Sequence, residues 1–157
     1  MNMKIIGLFA AVALLGACSD SNTAATGTGA TGAQAAGPRP GSQEDLVANV
    51  GDRVLFAFDS SSLSGDARGT LGKQSAWLKQ YPQNQVQVEG HADERGTREY
   101  NLALGQRRAN AARDALVAGG IAGSRVSTIS YGKDRPAAMG SNEGAWAQNR
   151  RAVTVVR

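Results

Sequence analysis

The sequence predicts an α/β sandwich, in which two helices pack on one face of a mixed four-stranded sheet. Three observations predict it. Short stretches with strand patterning and two longer stretches with helical spacing follow one another in the order strand, helix, strand, helix, strand, strand. Turn and cap residues punctuate nearly every junction between them. The segment that carries this pattern, residues 46–157, is about the right length for one domain with a single core.

Each element has a local reason. Arg53-Val54-Leu55-Phe56-Ala57-Phe58 is strand-like and is stopped by Asp59 and the turn-forming Ser60, Ser61 and Ser62, so it delivers Phe58 and Asp59 to a rim. From about Asp66 to Gln80, Ala67, Leu71, Ala76, Trp77 and Leu78 recur near helical spacing, and Tyr81-Pro82 ends the run, with Gly69 and Gly72 weakening it. Gln85-Val86-Gln87-Val88-Glu89 alternates polar and apolar, the pattern of a strand with one solvated face. A polar loop, Gly90 to Gly96, leads into a second helix from Arg98 to Ala118, with Leu104, Ala111, Ala112, Ala115 and Leu116 facing inward. Gly119-Gly120 closes it with the residue type that a left-handed cap favours. Val126 to Tyr131 is the third strand, Gly132 to Pro136 a turn, Glu143 to Asn149 a short helical turn, and Ala152 to Val156 the last strand. No internal repeat is present.

The first forty residues offer nothing that packs a core. Met1 to Ala17 has the form of a secretory signal: Lys4 is the positive start, and the apolar run Ile5 to Leu15 is too short to span a bilayer. It ends in Leu15-Gly16-Ala17-Cys18, which resembles a lipobox, and Cys18 is the only cysteine, so no intramolecular disulfide is available. Thioether lipidation of Cys18 accounts for a lone thiol in an exported chain. Residues 18–45 form a linker rich in Ala, Gly, Thr and Ser that cannot offset its chain entropy by burial. As a coil it spans about 25 Å on average, and roughly 80 Å when stretched.

The net charge is +4 and the isoelectric point about 9.6. Nucleic acid is not the expected partner, because the basic residues are scattered among acids, aromatics are few, and the export signal removes the chain from the cytoplasm. The charge suits contact with anionic wall or protein surfaces.

The chemistry concentrates in Gly90-His91-Ala92-Asp93-Glu94-Arg95-Gly96-Thr97, followed by Asn101-Leu102-Ala103-Leu104-Gly105-Gln106-Arg107-Arg108-Ala109-Asn110-Ala111. This run resembles the signature of OmpA-like peptidoglycan-binding domains, in the branch carried by peptidoglycan-associated lipoproteins. The likeness extends from Val54 to Val156 and takes in Phe56-Ala57-Phe58-Asp59, Tyr131-Gly132-Lys133-Asp134-Arg135-Pro136 and Asn149-Arg150-Arg151-Ala152-Val153. Gly105 stands where many such domains have serine, a form that occurs in this branch. The resemblance implies a βαβαββ fold and a noncovalent grip on the diaminopimelate of the stem peptide, with Asp93 accepting from its ammonium and the Arg108 fork meeting its carboxylate. It further implies that Phe58 and Asp59 line the pocket, Arg95 closes it from the loop, and Leu104 packs against the ligand methylenes. Leu104 and Arg108, four apart, share a helix face.

For the whole chain the resemblance implies an outer-membrane lipoprotein, since Ser19 replaces the aspartate that signals inner-membrane retention. It also implies membership of a Tol–Pal system, with TolB as partner and a role in envelope integrity and cell division. No cofactor, metal or enzymatic activity is expected. His91 has no cysteine or second histidine to complete a metal site and reads as a hydrogen-bonded structural residue. Arg107 reads as a solvated charge. Asp93 and Glu94, as neighbours, are poorly placed to face each other across a scissile bond. Taken as residues alone, Asp93 and Arg108 also fit a structural ion pair. The competing whole-chain readings are a wall-binding lipoprotein of another envelope assembly and a surface adhesin that retains the fold.

Overall fold

The computed structural model describes residues 37–157; the expected signal segment, Cys18 and most of the linker fall in residues 1–36, outside the described part. The chain forms α1 (Gln43–Asn49), β1 (Arg53–Leu55), α2 (Gly65–Gln80), β2 (Val86–His91), α3 (Arg98–Ala118), a 3₁₀ turn (Gly123–Arg125), β3 (Val126–Gly132), α4 (Glu143–Asn149) and β4 (Arg151–Val156). The sheet order is β1-β4-β2-β3, with β2 and β3 parallel and β4 antiparallel to both of its neighbours. The predicted mixed four-stranded sandwich is what forms.

α3 keeps its predicted limits because both of its caps are local. The Thr97 side chain accepts the Tyr100 N–H, and Gly120, at φ 93°, turns the chain so that Gly120 N–H reaches Val117 O and Ile121 N–H reaches Leu116 O. That bond pair is a Schellman motif. Its buried face is shifted from the expected one: Leu104, Ala109, Ala112 and Leu116 are covered, while Ala111 and Ala115 are only half-buried. The shift follows from how closely α3 lies on β2. Gly90 and Gly105 face each other across the contact, backbone against backbone, which leaves Ala109 pressed on the strand.

Three elements differ from the sequence reading by two residues or more. β1 ends at Leu55, although Phe56 N–H still donates to Arg150 O at 2.9 Å, so Phe58 and Asp59 sit in a turn, with Asp59 at φ 52°. β2 runs two residues further than the alternation suggested, because parallel pairing with β3 continues through an irregularity at Gly90/His91. α1 was not anticipated and begins at Gln43, inside the stretch assigned to the linker. Its signal is short but present. Ser42 accepts the Asp45 N–H, Leu46 is fully buried, and Asp45 accepts from the Trp77 indole N–H at 2.9 Å. The Gln43 amide then bonds Thr154 O and Val156 N–H, standing in for a neighbouring strand where β1 is too short to cover β4.

The core joins Leu46 of α1, Val54 and Phe56, the α2 residues Leu71, Trp77 and Leu78, Val86 and Val88 of β2, and Leu116 of α3. Ala76, expected inward, is exposed, and Gln74 takes the buried place, donating to Gly51 O and accepting from the Thr154 hydroxyl. Arg150, Asp93 and the Phe58 turn meet at one end of this sheet.

Candidate functional site

At that end lies a cleft of about 180 Å³, lined by Phe58, Asp59, Asp93, Arg95, Gly96, Tyr100, Asn101 and Leu104. Five of the six expected ligand residues therefore converge: Phe58, Asp59, Asp93, Arg95 and Leu104. The sixth, Arg108, lies beneath and does not line it.

Asp93 is the chemical centre. Only 4% of it is exposed, and its two oxygens accept from Arg95 Nε at 3.2 Å and Arg95 Nη2 at 2.6 Å, with Arg95 backbone N–H at 3.1 Å. Arg150 Nη1 stands 3.5 Å from the same carboxylate. Burial pushes the Asp93 carboxyl up, but the Arg95 side-chain and backbone hydrogen bonds, the Arg95 charge and Arg150 outweigh it and hold the group below its ordinary value. It is an anion at neutral pH. Asn101, itself buried, donates to Arg95 O at 2.8 Å and fixes the loop from below. Asp59 accepts from the Tyr100 hydroxyl across the mouth of the cleft, and Phe58, 60% exposed, forms an apolar wall with Leu104 buried nearby.

Arg108 is wholly buried at 0% exposure. Its three nitrogens donate to backbone carbonyls: Nε to Ser60 O at 2.8 Å, Nη1 to His91 O at 2.8 Å and Nη2 to Ala57 O at 3.1 Å. Burial lowers its pKa to about 10, with Asp93 opposing the fall, so it stays charged at neutral pH. Arg108 makes no ion pair with Asp93; Arg95 is the partner instead. One side chain thus ties the turn that bears Phe58 and Asp59 to the strand end that leads into Asp93.

Sequence reasoning missed Tyr100, Asn101, Trp146 and Arg150 as parts of the site. Tyr100 and Asn101 border the helix motif and were within reach of it. Trp146 and Arg150 come from α4 and its C-cap, more than fifty residues from Asp93; Arg150 lies in a stretch that the resemblance covers, but nothing local gives either residue a place beside Asp93. Arg107 is exposed, as expected, near the Tyr100 ring. Asp93 and Glu94 diverge, the first buried and the second exposed, with Glu94 accepting from the Trp146 indole N–H at 3.0 Å. Among the described residues no cluster of three or more His, Cys, Asp or Glu could hold a metal ion.

His91 requires a correction. It is buried at 2% exposure, but neither ring nitrogen bonds to any described protein group. The ring packs against Tyr131 with centroids 5.6 Å apart, and Glu89 lies 3.8 Å away. Burial, with the charges of Arg151 and Arg135, lowers its pKa from 6.5 to about 4. The unfolded chain takes up this proton near pH 6.5 and the folded chain only near pH 4. His91 therefore destabilises the fold progressively as pH falls between those values, and the loss is complete below them. Denaturation at pH 7 and pH 4 should show a fall in stability larger by about 2–3 kcal/mol in the parent than in His91→Phe; equal falls would refute this.

A model of the OmpA family matches residues 55–150. A peptidoglycan-associated lipoprotein of Mesorhizobium japonicum is 54% identical over 99% of this chain and 92% of its own length, and one from Haemophilus influenzae is 43% identical over 98% of both. The crystal structure of the peptidoglycan-associated lipoprotein from Burkholderia pseudomallei superposes with a TM-score of 0.66 at 44% identity, covering 68% of this chain and 90% of that one.

Proposed function

This chain belongs to the OmpA family, in the branch of the peptidoglycan-associated lipoproteins, and on that premise we propose that its domain binds peptidoglycan noncovalently by the free zwitterionic end of diaminopimelate in the stem peptide. The observation that carries the reading is a buried carboxylate, Asp93, at the back of a cleft with an apolar wall and guanidinium groups around it. In this reading the ligand ammonium takes hydrogen bonds to Asp93, the methylenes lie along Phe58 and Leu104, and the carboxylate enters the positive field of Arg95 and Arg108. Arg108 has five N–H groups and spends three on carbonyls. In this reading the remaining two are left for the ligand carboxylate.

A single stem binds modestly by such contacts. A lipid anchor at Cys18 and the tether that follows would hold the domain within reach of many stems, raising effective affinity without new contacts. The same reading places the chain in the outer membrane as a Tol–Pal component that contacts TolB and serves envelope integrity and division. Capture of TolB by the purified chain tests that part, and a pull-down without TolB removes it.

The binding claim has a cleaner test, because Asp93 bonds only to arginines of its own neighbourhood. The parent should pellet with diaminopimelate-type sacculi while folded Asp93→Asn stays in solution. If both pellet alike, Asp93 is structural and the proposed grip fails.

A further inference from the structure

We propose that Trp146, on α4, is a positioning residue of this cleft: together with Phe58 it clamps the Arg95 guanidinium and decides where that cation stands when a ligand ammonium takes Asp93. The inference rests on the reading of the cleft as the seat of an amino-carboxylate end. Arg95 Cζ lies 4.0 Å from the centroid of the Phe58 ring and 4.1 Å from that of Trp146. The planar cation is therefore held between two aromatic rings drawn from distant parts of the chain, while its edge faces the Asp93 carboxylate. Guanidinium suits this place, since it stacks on aromatic faces while its N–H edge stays directed at a carboxylate.

Trp146 is itself held. Its indole N–H donates to Glu94 Oε1 at 3.0 Å, and α4 is capped by Asn142, whose side chain accepts the Ala145 N–H at 3.0 Å. The residue that ends α4, Arg150, bonds Phe56 O at 3.0 Å and stands 3.5 Å from Asp93. α4 therefore touches the site twice, through Trp146 on Arg95 and through Arg150 beside Asp93.

The clamp matters because Arg95 occupies the carboxylate that an incoming ammonium needs. When the ammonium takes Asp93, Arg95 loses its anion but keeps both rings. Its fork stays at the lip, facing the ligand carboxylate, rather than sweeping into solvent as a free loop arginine would. A zwitterionic end thus enters an existing ion pair with no unmatched charge left behind. A ligand whose carboxylate is amidated leaves the Arg95 fork unpaired and should bind less well.

The test is a double-mutant cycle read by calorimetry with the full chain and a soluble peptide ending in meso-diaminopimelate. Trp146→Leu should weaken binding about 5- to 30-fold, and Trp146→Phe, which keeps a ring, less than about 3-fold. In an Arg95→Ala background the Leu substitution should add less than about 2-fold. An equal loss with and without Arg95, or no loss in the parent, overturns the proposal. Should the parent not bind the peptide at all, the reading of the cleft falls, and the clamp is judged in the ligand-free chain. There the Arg95 Nε–Hε resonance should carry an aromatic ring-current shift from both rings, which Trp146→Phe largely keeps and Trp146→Leu reduces to the part that Phe58 supplies; the same resonance position in all three chains overturns it.

Discussion

Gly90→Ala should unfold the domain or destabilise it by at least about 3 kcal/mol, the largest effect expected of any single added methyl group here. A Cβ at Gly90 falls 1.8 Å from Gly105 O and 2.6 Å from Gly105 C. Both are backbone atoms of α3, so neither can swing aside. The helix would have to lift from β2, and with it would go Leu104 at the cleft and Arg108 beneath it. The converse change is milder, because a Cβ at Gly105 meets Ser130 Oγ at 2.3 Å, which can rotate, before it meets Gly90 O at 2.9 Å. Gly69, exposed in α2 with nothing within 4 Å of an added Cβ, supplies the control. Gly69→Ala should stabilise by about 0.5–1 kcal/mol through helix propensity alone. Urea unfolding followed by circular dichroism separates these outcomes, and parent-like stability of Gly90→Ala would mean that α3 does not sit this close to the strand.

Arg108→Met should cost about 3–5 kcal/mol and lower the melting temperature by about 12 °C or more. The substitution leaves the carbonyls of Ala57, Ser60 and His91 without their donor, and two of those bonds are 2.8 Å long. Lysine should not rescue it, since one ammonium cannot serve three carbonyls on two separate segments in the way that a planar fork does. Loss of peptidoglycan binding should accompany the loss of stability, because the turn carrying Phe58 and Asp59 is released from the strand end that leads into Asp93. A variant that melts with the parent yet fails to bind would assign Arg108 to the ligand alone.

These two expectations mark how far the sequence reached. The motif from Gly90 to Ala111 supplies Asp93, Arg95 and Leu104 to one cleft, and α3 was legible to the residue because Thr97 and Gly120 act through bonds inside their own turns. α1 was legible in principle, since Ser42 three residues before Asp45 is a capping signal, but its polar neighbours resembled the linker that precedes them. β2 outran its alternation because its length is set by pairing with β3, a strand that lies more than thirty residues further on.

By itself the sequence determined what short-range chemistry determines, the fold class and the long helix with its caps; that Phe58, Asp59, Asp93, Arg95 and Leu104 meet at one cleft was legible only through the likeness to OmpA-like domains. Only the tertiary structure decided who partners whom. Arg95 rather than Arg108 stands on Asp93, Arg108 is spent on three carbonyls, Trp146 closes over Arg95 from α4, and His91 is enclosed without a hydrogen bond to the protein. The physical reason is range. Caps and periodicity act within a few residues, whereas the pairing of a buried charge depends on which distant carbonyls and rings the packed core brings within about 3–4 Å of it.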